Sequence, residues 1–308
     1  MRSSHDSLFV DAMNAISLFF NILSSTVVYA LFALAIVFAY RTSRVLLFCI
    51  GEIGMTSAYV FLQVWSWGEA RGLGSDLGFS FVLGIVAAMV AAGAMGGLLY
   101  LVLGKIGTDD PFIGTVITIA FSIVFFGAMT TIWRGEITRL PLPDFSVSVF
   151  DTGISVLLLG IVTVGAALVA TLLLVFYRST LGIEMQALAS NRTLAELRGI
   201  PVQRRLATVW ITSAVIAGVA GIFSAALSAV SVEGVSAGFS GIVAAIIGGL
   251  TSPFGGIIGA LLLATGENIT NLFFDARYSI VAPVILLALL LIVRPSGLSA
   301  RVEHIART

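Results

Sequence analysis

Apolar runs of about 20 residues recur along the chain, the length an α-helix needs to cross the hydrocarbon of a bilayer. They occupy residues 17–40, 45–67, 79–103, 112–132, 152–176 and 207–231, with an irregular region at 238–268 and a last run at 278–293. Hydrocarbon offers no hydrogen-bond partner to a peptide group, so each run must satisfy its own backbone, and a helix does so. A transmembrane barrel would read as short alternating segments, and this sequence does not. Composition agrees: 58% of the residues are hydrophobic and 10% are charged, against about 25% charged in a soluble domain. The expected fold class is an all-α polytopic membrane protein, one transmembrane domain over 1–308, with about eight membrane segments.

Several function classes drop out. The formal net charge is zero, which points to no nucleic-acid partner. The single cysteine, Cys49, cannot close an internal disulfide and reads as a buried free thiol. The opening MRSSHDSLFVDAMN is polar where a signal peptide would have its apolar core, so the first run is expected to remain as a span. His5 and His304 lie in polar termini, which leaves no intramembrane histidine for a metal site or a serine–histidine pair. No H-E-x-x-H occurs, and GLLYLVLGKIG around Lys105 fails as a phosphate loop because no Ser or Thr follows the lysine. No catalytic residue and no metal ligand is assigned. With no nucleotide site of its own, the chain would need another subunit or an ion gradient to power any uphill work.

Orientation follows from the arginines, which favour the cytoplasmic side. Arg178, Arg192, Arg198, Arg204 and Arg205 crowd the stretch 178–206, and Arg294, Arg301 and Arg307 mark the C-terminal tail. Both are placed in the cytoplasm, so an even number of crossings separates them. Runs 207–231 and 278–293 supply two, and 238–268 must then enter and leave on one side. Its halves, GFSGIVAAIIGG and GIIGALLLATGEN, each read as too short to cross, and Pro253, Gly255 and Gly256 break the helix between them. One kinked crossing with the tail outside is the alternative.

The run 45–67 is interrupted by Gly51-Glu52-Ile53-Gly54. An interrupted segment in each half of a chain is the pattern of inverted repeats around a central site. The candidate path-lining residues are therefore Gly51, Glu52, Gly54, Thr56, Ser252 and Pro253. A charge inside a span costs roughly 2.5–3.5 kcal/mol or more and usually marks a functional path. Glu52 lines a path, braces broken helix ends or snorkels to an interface; the flanking glycines suit the first two. Gly93 with Gly97 and Gly255 with Gly259 have the spacing of close helix packing, either within the subunit or at an interface. Trp65, Trp67 and Trp133 fall at run ends, where an aromatic belt explains them. Pro141 and Pro143 mark an outer-face loop.

RSTLGIEMQALASNRTLAELRGIPVQ, residues 178–203, is the most polar stretch of the chain. Thr193-Leu194-Ala195-Glu196 has capping-box spacing, Gly199 suits a left-handed helix end, and Pro201 blocks continuation. These signals predict a helix from about 182 to 189 and a very short one from 194 to 198. Helices this short need a surface to rest on, their own domain or a partner's. An ordinary cytoplasmic loop is the alternative.

The stretch from Tyr177 through the span ending near Val230 resembles the coupling region of permease subunits of branched-chain amino acid ABC importers. It carries an arginine before T-x-L-G, an alanine-rich helix, A-x-x-x-G-I and a span with A-G-x-A-G. RVLLFCIGEIGMTSAYV resembles that family's N-F-A-H-G-E-F-A-M-L-G-A-Y signature, and the glycine-rich 238–269 followed by LIVRPSGL resembles its C-terminal half. The resemblance runs from about residue 16 to 301. It implies that 178–206 is a cytoplasmic coupling-helix segment gripped by ATPase subunits through Leu181, Gly182, Ala187, Thr193, Glu196, Arg198 and Gly199. It also implies no cofactor in this chain, with ATP and Mg held by two partner ATPases. A second homologous permease or another copy of this chain, and an extracytoplasmic substrate-binding protein, complete the assembly in a bacterial inner membrane. Cys49, Ile50 and Ser57 depart from the signature, which bears on substrate identity. Branched-chain amino acids, other hydrophobic amino acids and small amides or carboxylates are the expected range. The rival readings are a secondary transporter or channel using Glu52 as an ion or proton site, and an intramembrane enzyme.

Overall fold

The computed structural model describes residues 2–72, 78–106, 111–142, 146–149, 152–273, 281–293 and 298. Arg294, Arg301, Arg307 and Pro143 lie outside these. The helices in chain order are α1 (Arg2–Ser43), α2 (Ile50–Ala70), α3 (Phe79–Ile106), α4 (Pro111–Trp133), α5 (Val156–Arg178), α6 (Thr180–Ser190), α7 (Arg192–Leu197), α8 (Val202–Leu227), α9 (Ser236–Gly248), α10 (Pro253–Phe273) and α11 (Ala282–Val293). A short antiparallel hairpin, β1 (Ser146–Val149) and β2 (Thr152–Ser155), precedes α5 and departs from a purely helical expectation. Among the described residues six helices are long and apolar enough to cross a membrane: α1 over Ile16–Ser43, α3 over Phe79–Lys105, α4, α5, α8 and α10.

Helix α1 is the axis of the bundle. From Val27 to Ala39 almost every side chain is buried, against α5, α8, α9 and α10. A helix apolar on all faces belongs inside a larger structure, and residues 27–39 of α1 are apolar on every face but for the Tyr29 hydroxyl. By contrast, α4 shows Phe112, Ile113, Val116, Ile123 and Val124 outward, a surface suited to lipid or another apolar chain. Small residues set the closest approaches. Gly96 of α3 lies against the Trp210 carbonyl of α8, and a Cβ on Gly221 of α8 would run into Gly54 of α2. Gly93 and Gly97 make only ordinary contacts with α8, so the tight position is the glycine between them.

The interruption in the second run falls earlier than Gly51–Gly54. Helix α2 is continuous from Ile50, and the irregular backbone is 44–49. Arg44 ends α1 in the left-handed region (φ 61°), its N–H bonded to the Tyr40 carbonyl at 2.8 Å. For a non-glycine residue that conformation costs roughly 1–2 kcal/mol. The segment that follows is packed in protein, with Val45, Leu47 and Cys49 buried. Two threonines of α4 satisfy its backbone. Thr115 accepts from Leu46 N–H at 3.2 Å, while Thr118 accepts from Phe48 N–H at 3.3 Å and donates to the Leu46 carbonyl at 2.7 Å. Irregular backbone at membrane depth survives only when buried and hydrogen-bonded in this way. The sequence placed the break at the buried charge, whereas the charge belongs to the first turn of the helix that follows.

Region 238–268 is a helical hairpin. Gly249 (φ 101°) closes α9, with its N–H on the Ala245 carbonyl at 2.9 Å. Ser252 and Pro253 then open α10, the Ser252 hydroxyl accepting from Gly255 N–H at 3.1 Å. The helices return along a glycine seam, in which a Cβ on Gly248 would strike the Gly255 carbonyl and one on Gly259 the Ala244 carbonyl. The second arm is 21 residues, longer than expected, and runs to Phe273, with Asn268 and Thr270 donating to the Ala264 and Gly266 carbonyls inside it. Gly255 and Gly259 therefore serve packing inside the subunit.

Trp65 is another correction. It is 1% exposed and packs with Phe61 and Phe81, whereas Trp67 is exposed with Arg71 3.8 Å above its ring. Trp133 stacks on Tyr59 and donates to Gln63 at 3.1 Å. Cys49 is a buried free thiol.

Candidate functional site

Glu52 sits in the first turn of α2, 6% exposed, where the positive end of the helix dipole favours a carboxylate. Its Oε1 accepts from the Ser122 hydroxyl of α4. It also borders a cavity of about 210 Å³ with Phe48, Gly51, Ile119, Ser122, Val235, Phe239 and Ile242. Bracing and lining are thus the same position. Gly51 is glycine because α9 and the 3-10 turn before it (Val232–Val235) press on it: a Cβ there would meet the Val235 carbonyl, and one on Gly238 would meet Gly51 itself.

The other sequence-derived path residues are not gathered here. Gly54 points away, toward Phe32 and the Ala217 carbonyl. Thr56 is half-buried one turn along α2. Ser252 and Pro253 belong to the other end of α9, where Gly238 and Gly248 alone are separated by about 15 Å at 1.5 Å per residue.

A second buried carboxylate was missed. Glu267 of α10 is 7% exposed and accepts from Tyr29 of α1 at 2.5 Å and from Ser240 of α9 at 3.0 Å. It borders a cavity of about 310 Å³ with Ser25, Tyr29, Ser224, Ser228, Ser236, Phe239 and Ser240 among its walls. Phe239 lines both cavities, so the start of α9 stands between the two acids. The available signal was an acid in an otherwise apolar segment 14 positions after the helix-opening Pro253. Reading that segment as a short arm put Glu267 at its end instead of inside it. Among the described residues no group of three or more His, Cys, Asp or Glu side chains could hold a metal ion.

Residues 178–206 fold into the α6–α7 pair. The Ser179 hydroxyl caps α6 by accepting from Gly182 N–H at 3.1 Å. Gly182 is required by close approach, since a Cβ would collide with the Phe176 carbonyl at the end of α5. Helix α7 is capped by Asn191, which accepts from Leu194 N–H at 3.0 Å, and not by Thr193. Asn is among the best N-cap residues, and the helix begins at Arg192. Glu196 consequently pairs with Arg192 at 3.7 Å instead of reaching back to a cap. Gly199 takes the left-handed position (φ 81°), with Gly199 N–H on the Glu196 carbonyl at 2.9 Å and Ile200 N–H on Ala195 at 3.1 Å.

The inner side of the pair is a small core of Leu188, Ala195 and Val202, backed by Ile200 and Leu206. An ion pair between Arg205 and Glu184 ties α8 to α6. Leu181 and Ala187 are half-buried, and Thr193, Glu196, Arg198 and Gly199 are exposed. Exposed with them are Ile183, Leu194 and Leu197, the last at 79%. The result is a capped helix pair with apolar side chains turned outward.

Comparison with known proteins agrees with this architecture. A family profile described as the permease component of branched-chain amino acid transport systems matches residues 18–293. The high-affinity branched-chain amino acid transport system permease protein LivH of Escherichia coli K12 is 27% identical over 290 residues, covering 89% of this chain and 92% of that protein. LivH of Salmonella typhimurium is 26% identical over the same shares. The permease protein BraD of Pseudomonas aeruginosa is 32% identical over 128 residues, 41% of this chain and 42% of BraD. Matched from its first apolar run to its last helix, this multi-pass membrane chain belongs to the branched-chain amino acid transport system permease component family.

Proposed function

We propose that this chain is the transmembrane subunit of an ATP-driven importer for branched-chain or other hydrophobic amino acids, or related small amides and carboxylates. The observation that carries the reading is the α6–α7 pair: capped at both starts, braced on its inner side, and showing Leu194 and Leu197 outward. Six residues of helix gain too little from their own hydrogen bonds to persist alone, and exposed apolar side chains on such an element suit a partner's cleft. Residues 178–206 form the cytoplasmic coupling segment in this proposal. Leu181, Gly182, Ala187, Thr193, Glu196, Arg198 and Gly199 form or shape the contact with two ATPase subunits that bind ATP and Mg.

The proposal extends to the assembly. A second homologous permease, or a copy of this chain, completes the path; an extracytoplasmic binding protein delivers substrate; the C-terminus lies in the cytoplasm of a bacterial cell. Adding α2, the α9–α10 hairpin and α11 to the other apolar helices gives about eight membrane segments. Glu52 and its cavity belong to the path.

The test is uptake into liposomes. Purified chain alone is expected to move no substrate, and uptake is expected once ATPases, binding protein and ATP are present. Uptake by the chain alone along an ion gradient, abolished by Glu52→Gln, would instead establish a secondary transporter.

A further inference from the structure

The cavity beside Glu267 differs from its surroundings in chemistry. It lies within the span: Tyr29 is about 18 Å along α1 from Arg41, where α1 ends near α6. Its walls nonetheless carry hydroxyl groups from three helices, Ser25 and Tyr29 on α1, Ser224 on α8 and Ser240 on α9, around one carboxylate. Among the described residues both donors to Glu267 are neutral, the Tyr29 phenol on one oxygen and the Ser240 hydroxyl on the other. Two such bonds hold the carboxylate in place, and each oxygen retains a lone pair. Among the described residues no basic side chain pairs with Glu267, whereas a buried carboxylate is normally accompanied by a cation.

We infer that Glu267, Tyr29 and Ser240 form a recognition site for a primary ammonium group, that of an amino-acid substrate entering from the side opposite α6 and α7. An ammonium brings three N–H donors. One bond to a free lone pair of Glu267 and others to hydroxyl oxygens of the wall supply the missing charge. About 310 Å³ is room for a small amine. Phe239 offers an aromatic wall for an apolar side chain and separates this cavity from that of Glu52. The inference rests on the importer reading for its biological meaning, but its physical content does not.

The experiment is a thermal-unfolding titration of the full purified chain in detergent, without ATPases or binding protein. The probes are L-leucine, 4-methylpentanoate (its analogue without the amine), isopentylamine (without the carboxylate), tetramethylammonium chloride and sodium chloride. Leucine and isopentylamine are expected to raise Tm in a saturable way, and the other three are not. In Glu267→Gln the apparent affinity for both amines falls about ten- to hundredfold, the loss of a charge-assisted hydrogen bond. Should that variant fold poorly, Ser240→Ala keeps the carboxylate and is expected to weaken amine binding less. Equal shifts with sodium or tetramethylammonium, or amine shifts that persist in Glu267→Gln, would overturn the assignment. Liposome uptake is measured separately, so a chain that binds amines but needs no ATPase would sink the importer reading alone.

Discussion

Tyr29 on α1 and Glu267 on α10 are joined by a 2.5 Å hydrogen bond between residues 238 positions apart in sequence. The bond ties the central helix to the second arm of the hairpin, whose packing against α1 is among the most extensive in the molecule. Replacing Tyr29 by Phe keeps the ring and removes the donor, leaving a buried carboxylate oxygen short of one partner. The expected cost is about 1–3 kcal/mol. Denaturation of the purified chain in detergent measures it, and an unchanged midpoint would show that the bond contributes nothing net.

The Thr118 hydroxyl stitches the irregular segment 44–49 to α4 through both Leu46 and Phe48. Thr118→Val has nearly the same shape and makes neither bond. Stability is expected to fall by about 1–3 kcal/mol, with faster amide exchange at Phe48 as the local signature. Thr115→Val, which loses the acceptor for Leu46 N–H alone, is expected to do less.

Much of this was legible in sequence, and what was not has a physical reason. The long apolar helices follow from run length, because hydrocarbon leaves a backbone no other option. The glycine end of α7 at Gly199 follows from backbone sterics at one residue. The break at 44–49 was misplaced because its stability lies in hydroxyl groups some 70 residues away, on α4. A local reading saw a charge among glycines and took the charge for the break. Glu267 was missed for the converse reason: its donors come from α1 and α9, and nothing beside it in sequence announces them. Trp65 was assigned to a belt from its place near a run end, a position that also borders a core when Phe61 and Phe81 close over it.

Glycine positions separate into those that need a bare backbone and those that do not. A Cβ on Gly51 would drive into the Val235 carbonyl, so Gly51→Ala is expected to cost at least about 1–3 kcal/mol by overpacking. Gly160 in α5 has open space around it, and Gly160→Ala is expected to raise stability by about 0.5–1 kcal/mol through helix propensity. Paired melts of the two variants in the isolated chain check the opposite signs.

The outward leucine of α7 separates folding from assembly. Leu197 is 79% exposed and lies outside the small Leu188–Ala195–Val202 core. Leu197→Glu is therefore expected to leave the chain's melting point within about 0.5 kcal/mol of the parent, as exposed substitutions do. If an ATPase cleft receives this side chain, the same variant loses a central apolar anchor, and a loss of about 2 kcal/mol or more follows, roughly thirtyfold in affinity. Co-purification of the ATPases and ATP-dependent uptake should both collapse while the fold stays intact. Gly199→Val tests the same contact differently: φ 81° disfavours a β-branched residue, so α7 ends incorrectly and its apolar side chains are misdirected. Its melt is expected to fall modestly and its uptake severely. ATPase docking that survives both variants would mean that no motor grips α7, and the role of residues 178–206 would have to be sought in contacts with the chain's own membrane helices.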